Sequence, residues 1–238
     1  MKRTALIIAL TVFLTSLCYA GLLDTVKEGV GVPGKAGVDN DTAISGLKEA
    51  LAIGTENAVK SVSQVDGYFG NKLIKILMPE KIQQVADALA KAGFQKQVDD
   101  FILSMNRAAE KAAPEAASIF GDAVKEMSFQ DAMGILSGGD TAATDYFKET
   151  TSDRIYESFK PIISTSMNDV GVTRAYQEMM GKYTSIPFMP AATSFDLDHY
   201  VTTKAMGGLF EQIAAEETKI RTNPAARVTD LLKQVFGQ

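Results

Sequence analysis

The stretch ILSGGDTAATDYF, residues 135–147, decides how the chain is read. Two glycines, an acid and a threonine separate an apolar run from a helical pattern that restarts. Amides at the start of a helix bind anions readily, so a phosphate loop is one reading. The nucleotide-loop ending Gly-Lys-Ser/Thr is missing, however, and Asp140 already brings negative charge to the helix start. A plainer reading needs only these residues at this spacing. Gly138 takes the left-handed conformation that closes one helix, and Asp140 caps the next through the amides near Ala142 or Ala143. The stretch reads as a joint between two helices.

The same pattern extends on either side. Ile82, Val85, Ala86 and Leu89 recur at helical spacing before Gly93, which stands where a C-terminal glycine belongs. Val98, Phe101, Ile102 and Met105 make the next stripe, running to Pro114, and Ile119, Phe120, Val124 and Met127 continue after it. Ser128 and Asp131 form a capping-box pair. An earlier helix starts near Thr42 with Asp41 as its cap. YFGNKLIKILMP reads as a buried connector ending at Pro79. Further helices are expected over 141–148, over 153–167 with a kink or break near Pro161, and over 173–183. SIPFMPAATS is a non-helical gap, and a long helix follows to about Arg221, bent at Gly207-Gly208. Asn223-Pro224 opens a last amphipathic segment carrying Val228, Leu231, Leu232, Val235 and Phe236. No stretch reads as a strand. The predicted fold is all-α, a bundle of about eight to ten helices with short Gly/Pro joints.

Residues 1–20, MKRTALIIALTVFLTSLCYA, have a basic start, an apolar run and a small-x-small ending at Ala20. That is the layout of a secretory signal peptide, too short in its apolar part for a comfortable span. Residues 21–41 read as a flexible linker and 42–238 as a single helical domain. Cleavage after Ala20 places the chain in the periplasm or outside the cell. It also removes Lys2, Arg3 and Cys18, leaving 22 basic against 29 acidic residues, a net charge of −7. An acidic surface without a basic cluster argues against nucleic acid, and without cysteine no disulfide can form. No membrane span is expected after cleavage.

Several segments, MNRAAE (105–110), GGDTAATDYF (138–147), DLDHYVT (196–202), GLFEQIAAEETKIRTNPAAR (208–227) and LLKQVFG (231–237), resemble a family of exported bacterial proteins catalogued as domain of unknown function 4197. The resemblance runs from about Ala43 to Gly237. It implies one helical family domain in the envelope of a Gram-negative-type bacterium, and carries no known activity, cofactor or site. ILMP (76–79) departs from the pattern, where an additional proline is expected.

Chemistry is thinly provided for. His199 is the only histidine, so neither a zinc set nor a serine triad is well supplied, and no metal or cofactor is expected. Charged groups in apolar helices are more informative. Arg107 and Glu110 are three apart and Glu217 and Arg221 four apart, so each pair shares a helix face. If those helices pack together the pairs form one buried network, which Arg227 joins; such a network fixes register or lines a polar pocket. With Asp140 these are the candidate binding residues, and Glu110, Asp140 and Glu217 the carboxylates an acid–base enzyme would use. Met179, Met180, Tyr183, Phe188 and Met189 cluster beside the proline loop as a candidate apolar pocket. No catalytic set emerges. The expected function is a non-catalytic binding protein for an apolar small molecule or an envelope partner; the rivals are a carboxylate enzyme and a structural envelope protein.

Overall fold

The computed structural model describes residues 39–169, 171–188, 195–227, 229, 230 and 233. The expected leader, nearly all of the linker, Met189 and the apolar face from Val228 to Phe236 lie outside the described residues. Eight α-helices follow in order: α1 (Asn40–Ser63), α2 (Glu80–Lys91), α3 (Gln95–Ala112), α4 (Ala116–Glu126), α5 (Phe129–Ser137), α6 (Ala142–Asp169), α7 (Val172–Thr184) and α8 (Leu197–Thr222). A 3-10 turn, Ala113–Glu115, joins α3 to α4 with no non-helical residue between them. Among the described residues the eight therefore make seven uninterrupted helical runs, slightly fewer than the eight to ten expected for the chain. The described residues contain no strand, and none of their helices is long and apolar enough to cross a membrane.

Local chemistry accounts for most of the boundaries. Asp39, not Asp41, caps α1, accepting from the Thr42 N–H at 2.9 Å and the Thr42 hydroxyl at 2.6 Å. Ser128 and Asp131 close a reciprocal capping box on α5. Gly93, at φ +85°, turns the chain between α2 and α3 while Phe94 N–H donates to the Leu89 carbonyl.

Helix α6 departs furthest from expectation, running unbroken through the gap read at 149–152 and on past Pro161. In the polar stretch KETTSD the hydroxyls of Thr150, Thr151 and Ser152 donate to the carbonyls of Tyr146, Phe147 and Lys148, one turn back. Groups that would compete with the helix are thus absorbed by it. Pro161 lies on the exposed side of α6. A helix-interior proline costs about 3 kcal/mol, but Phe159 and Ile163 on either side are fully buried. At about 2 kcal/mol each, that burial outweighs the cost.

Helix α8 packs against α1, α3 and α6, while α3 also meets α2, α6 and α7. Phe120 of α4 sits edge-on to Phe147 of α6 at 5.2 Å and to Phe210 of α8 at 6.1 Å, forming the aromatic centre of the core. Between α1 and α2 the chain makes a non-helical strap, residues 64–79, laid along α3 and α8.

Candidate functional site: a clamped strap and a carboxylate at a helix start

The strap turns at 71–75, where the Ile74 and Lys75 amides donate to the Asn71 carbonyl, and runs on to Pro79 without helix or turn. Along it Ile74, Ile76 and Met78 are buried, Leu77 is exposed and Lys75 intermediate, and Leu73, just before them, is exposed. This is strand periodicity without a neighbouring strand. Asn106 of α3 stands in for one: Ile76 N–H donates to its Oδ1 at 2.9 Å, and its Nδ2 donates to the Ile76 carbonyl at 2.8 Å. Nδ2 also donates to the Ile102 carbonyl, which locks the amide to its own helix.

One turn further along α3, Glu110 is 4% exposed. Its Oε1 accepts from the Tyr68 and Phe69 amides at 3.1 and 3.2 Å, and its Oε2 from Arg107 Nη1 at 2.6 Å. Arg107 Nη2 then reaches Asp66, whose backbone is left-handed at φ +66°. The bond to Glu110, and after it that to Asp66, raises the guanidinium above its ordinary value against the opposing pull of burial. Tyr68, fully buried, donates from its hydroxyl to the Ala205 carbonyl of α8 at 2.7 Å. Burial first, and then the nearby Glu110 charge, push its phenol strongly upward. Gly208 lets the strap come this close: a Cβ there would lie 2.7 Å from the Tyr68 ring and 3.0 Å from Ile74 Cβ. One of the two glycines read as a bend in α8 thus also seats the strap against that helix, which runs on without interruption.

The second cluster lies at the other end of α8. Glu217 Oε1 accepts from Ala143 N–H at 3.0 Å, and Oε2 from the Thr144 N–H and hydroxyl at 2.9 and 2.8 Å. These are the orphan amides at the start of α6. Arg221 donates from Nε and Nη2 to the same carboxylate and from Nη2 to the Ile135 carbonyl near the end of α5. Arg227 turns back to the Ile220 and Arg221 carbonyls, closing the end of α8. One carboxylate and one guanidinium thus join three helices at the opening stretch of the sequence analysis. Two expectations for that stretch are corrected. The α6 amides go to Glu217, and Asp140 is left exposed. Gly138 ends α5 with φ −81° and ψ 178°, not left-handed; a Cβ there would lie 2.5 Å from Ala142 Cβ, so space, not φ, calls for glycine.

The two ion pairs do not merge into one network. Ala205, where Tyr68 docks, and Glu217 are twelve residues apart on α8, roughly 18 Å at helical rise. The apolar candidates divide. Met179 and Tyr183 are buried in the core with Met180 packed against it, whereas Phe188 is fully exposed. A cavity does lie between α1, α6 and α8, bounded by Leu47, Gly54, Phe147, Ile213 and Glu217. At about 20 Å³ it has room for roughly one water molecule. His199 pairs its Nδ1 with the Tyr156 hydroxyl at 2.9 Å. Among the described residues no three His, Cys, Asp or Glu side chains gather to hold a metal ion.

The family described as "Protein of unknown function (DUF4197)" matches residues 37–237, nearly all of this architecture. The chain belongs to that family. No curated protein and no solved structure matches it. Three of the segments by which the chain resembles DUF4197 carry clamp residues. MNRAAE supplies Asn106, Arg107 and Glu110; GGDTAATDYF supplies the α6 amides; GLFEQIAAEETKIRTNPAAR supplies Gly208, Glu217, Arg221 and Arg227. Sequence reasoning passed over Asn106, Thr144 and Tyr68, and read Gly208 only as a bend. Only Asn106 carried a signal, an amide following Met105 within an apolar helix.

Proposed function

We propose that this DUF4197 protein is exported and acts without catalysis, binding an envelope partner through the outer face of its strap. The observation that carries this reading is the cost of the strap's position. Asn106, Glu110, Arg107, Tyr68 and Gly208 all hold the non-helical strap in place. The outcome is two leucines left in solvent on a fixed backbone, Leu73 at 91% and Leu77 at 60% exposure. The leader-like residues 1–20 support export. A carboxylate enzyme has less support, because Glu110 and Glu217 spend both oxygens on amides and arginines while Asp140 stands apart from them.

The test places a photo-crosslinking side chain at Leu73 or Leu77, with exposed Glu115 as the control, in the native host. Adducts from the strap positions and none from Glu115, in chain recovered from the envelope fraction, are expected. Equal adducts at all three positions, or none, would overturn the reading.

A further inference from the structure

We infer that the strap face is a docking surface for an anionic lipid bilayer, with the adjoining lysine-lined cleft receiving a lipid phosphate. The inference rests on the reading of the strap as a binding face and names what it binds. Leu73 and Leu77 are both exposed on the strap, Leu73 in the turn at 71–75 and Leu77 in the stretch that follows it, with Lys75 half-buried between them. Lys75 Nζ lies over the Phe69 ring at 3.8 Å, which holds its charge at that surface, and Lys72 is exposed beside Leu73. The end of the strap is tied to α8 by the Tyr200 hydroxyl, which donates to the Leu77 carbonyl at 3.0 Å. That bond brings Leu77 to the edge of a cleft of about 220 Å³ lined by Lys81, Phe195, His199, Tyr200 and Lys204.

Like Lys60, Lys91, Lys160 and Lys182 elsewhere, Lys72 and Lys75 on the strap and Lys81 and Lys204 lining the cleft take part in no ion pair among the described residues. Glu80 and Asp196 are the acids beside them, and Asp196 already accepts from His199 N–H as the α8 cap. On a chain whose net charge is −5, such a patch orients the molecule toward an anionic surface that repels the rest of it. Lysine is depleted at protein–protein interfaces, while lysines flanking protruding leucines suit the headgroup and acyl boundary of a bilayer. A lipid surface therefore fits this face better than a protein partner does.

The test is flotation of the exported chain with phosphatidylcholine vesicles and with vesicles in which one lipid in three is phosphatidylglycerol. Variants share the N-terminus of the parent chain, verified by mass, so the leader cannot produce a difference between them. Binding to the anionic vesicles that weakens with added salt is expected. Leu73→Glu should reduce it tenfold or more, and Lys81→Gln or Lys204→Gln about fivefold each, all with unchanged helicity because these side chains are exposed. Equal binding to both vesicle types, binding to neither, or binding unaltered by Leu73→Glu and Lys204→Gln would overturn the inference. If crosslinks from Leu73 reach a protein while no vesicle is bound, the bilayer falls and the strap remains a binding face. If neither appears, both readings fall.

Discussion

Asn106 and Ile76 exchange two hydrogen bonds, amide to side-chain oxygen at 2.9 Å and side-chain nitrogen to carbonyl at 2.8 Å, so that one side chain on a helix pairs an extended segment as a strand would. Both Ile76 groups are buried, and nothing else is recorded as pairing them. Asn106→Ala should therefore lower stability by about 3 kcal/mol, since each orphaned group costs about 1–3 kcal/mol. Denaturant unfolding measures the loss. Hydrogen exchange at the Ile76 amide should accelerate in the variant while amides in α6 keep their order of protection.

Glu217 fixes the start of α6 and the end of α5 from a third helix. Glu217→Gln should cost about 3 kcal/mol, because it leaves the Arg221 guanidinium, 15% exposed, without its counterion and turns a donor toward amides that are donors themselves. Combining it with Arg221→Met should cost less than the sum of the single changes. A double-mutant cycle by chemical unfolding reads the coupling.

Two adjacent glycines in α8 should respond in opposite directions. Gly207 has open space around a built Cβ, so Gly207→Ala should stabilise by up to about 1 kcal/mol through helix propensity. Gly208→Ala pushes a methyl into the Tyr68 ring and should destabilise by about 1–2 kcal/mol. Thermal melts of the two variants decide the point.

Tyr68 should make the fold sensitive to alkali. Burial holds its phenol well above the ordinary 10.0 in the folded chain. Below about pH 10 the phenol is protonated in both states and its contribution is complete. Above that, the unfolded chain ionises first, and stability falls as pH rises toward the raised folded value. Tyr68→Phe should be less stable at neutral pH, having lost the bond to Ala205, and should lose this part of the alkaline decline. Unfolding midpoints across the alkaline range, with phenolate absorbance, test both halves.

The helices were legible because their signal is local. Ile82, Val85, Ala86 and Leu89 face the core at a spacing any helix must show, and all four are buried. The pairs Arg107–Glu110 and Glu217–Arg221 were legible for the same reason, being one turn apart. Two further details were visible yet read wrongly. Alternation in KLIKILM was masked by its outward leucines, which make both faces apolar. The hydroxyl-rich stretch of α6 resembled a break because its back-bonding to the helix leaves no trace in composition.

What the chain settled on its own was its class: amphipathic periods, caps and proline positions are written in neighbouring residues and specify helices wherever they occur. The tertiary structure alone decided what the charged pairs hold. Glu110 meets amides 41 and 42 residues earlier, and Glu217 meets amides 73 and 74 residues earlier. Tyr68 and Ala205, 137 residues apart, close the strap onto α8. A carboxylate is satisfied by whichever donors packing brings to it, and that choice belongs to the arrangement of helices, not to the spacing within any one of them.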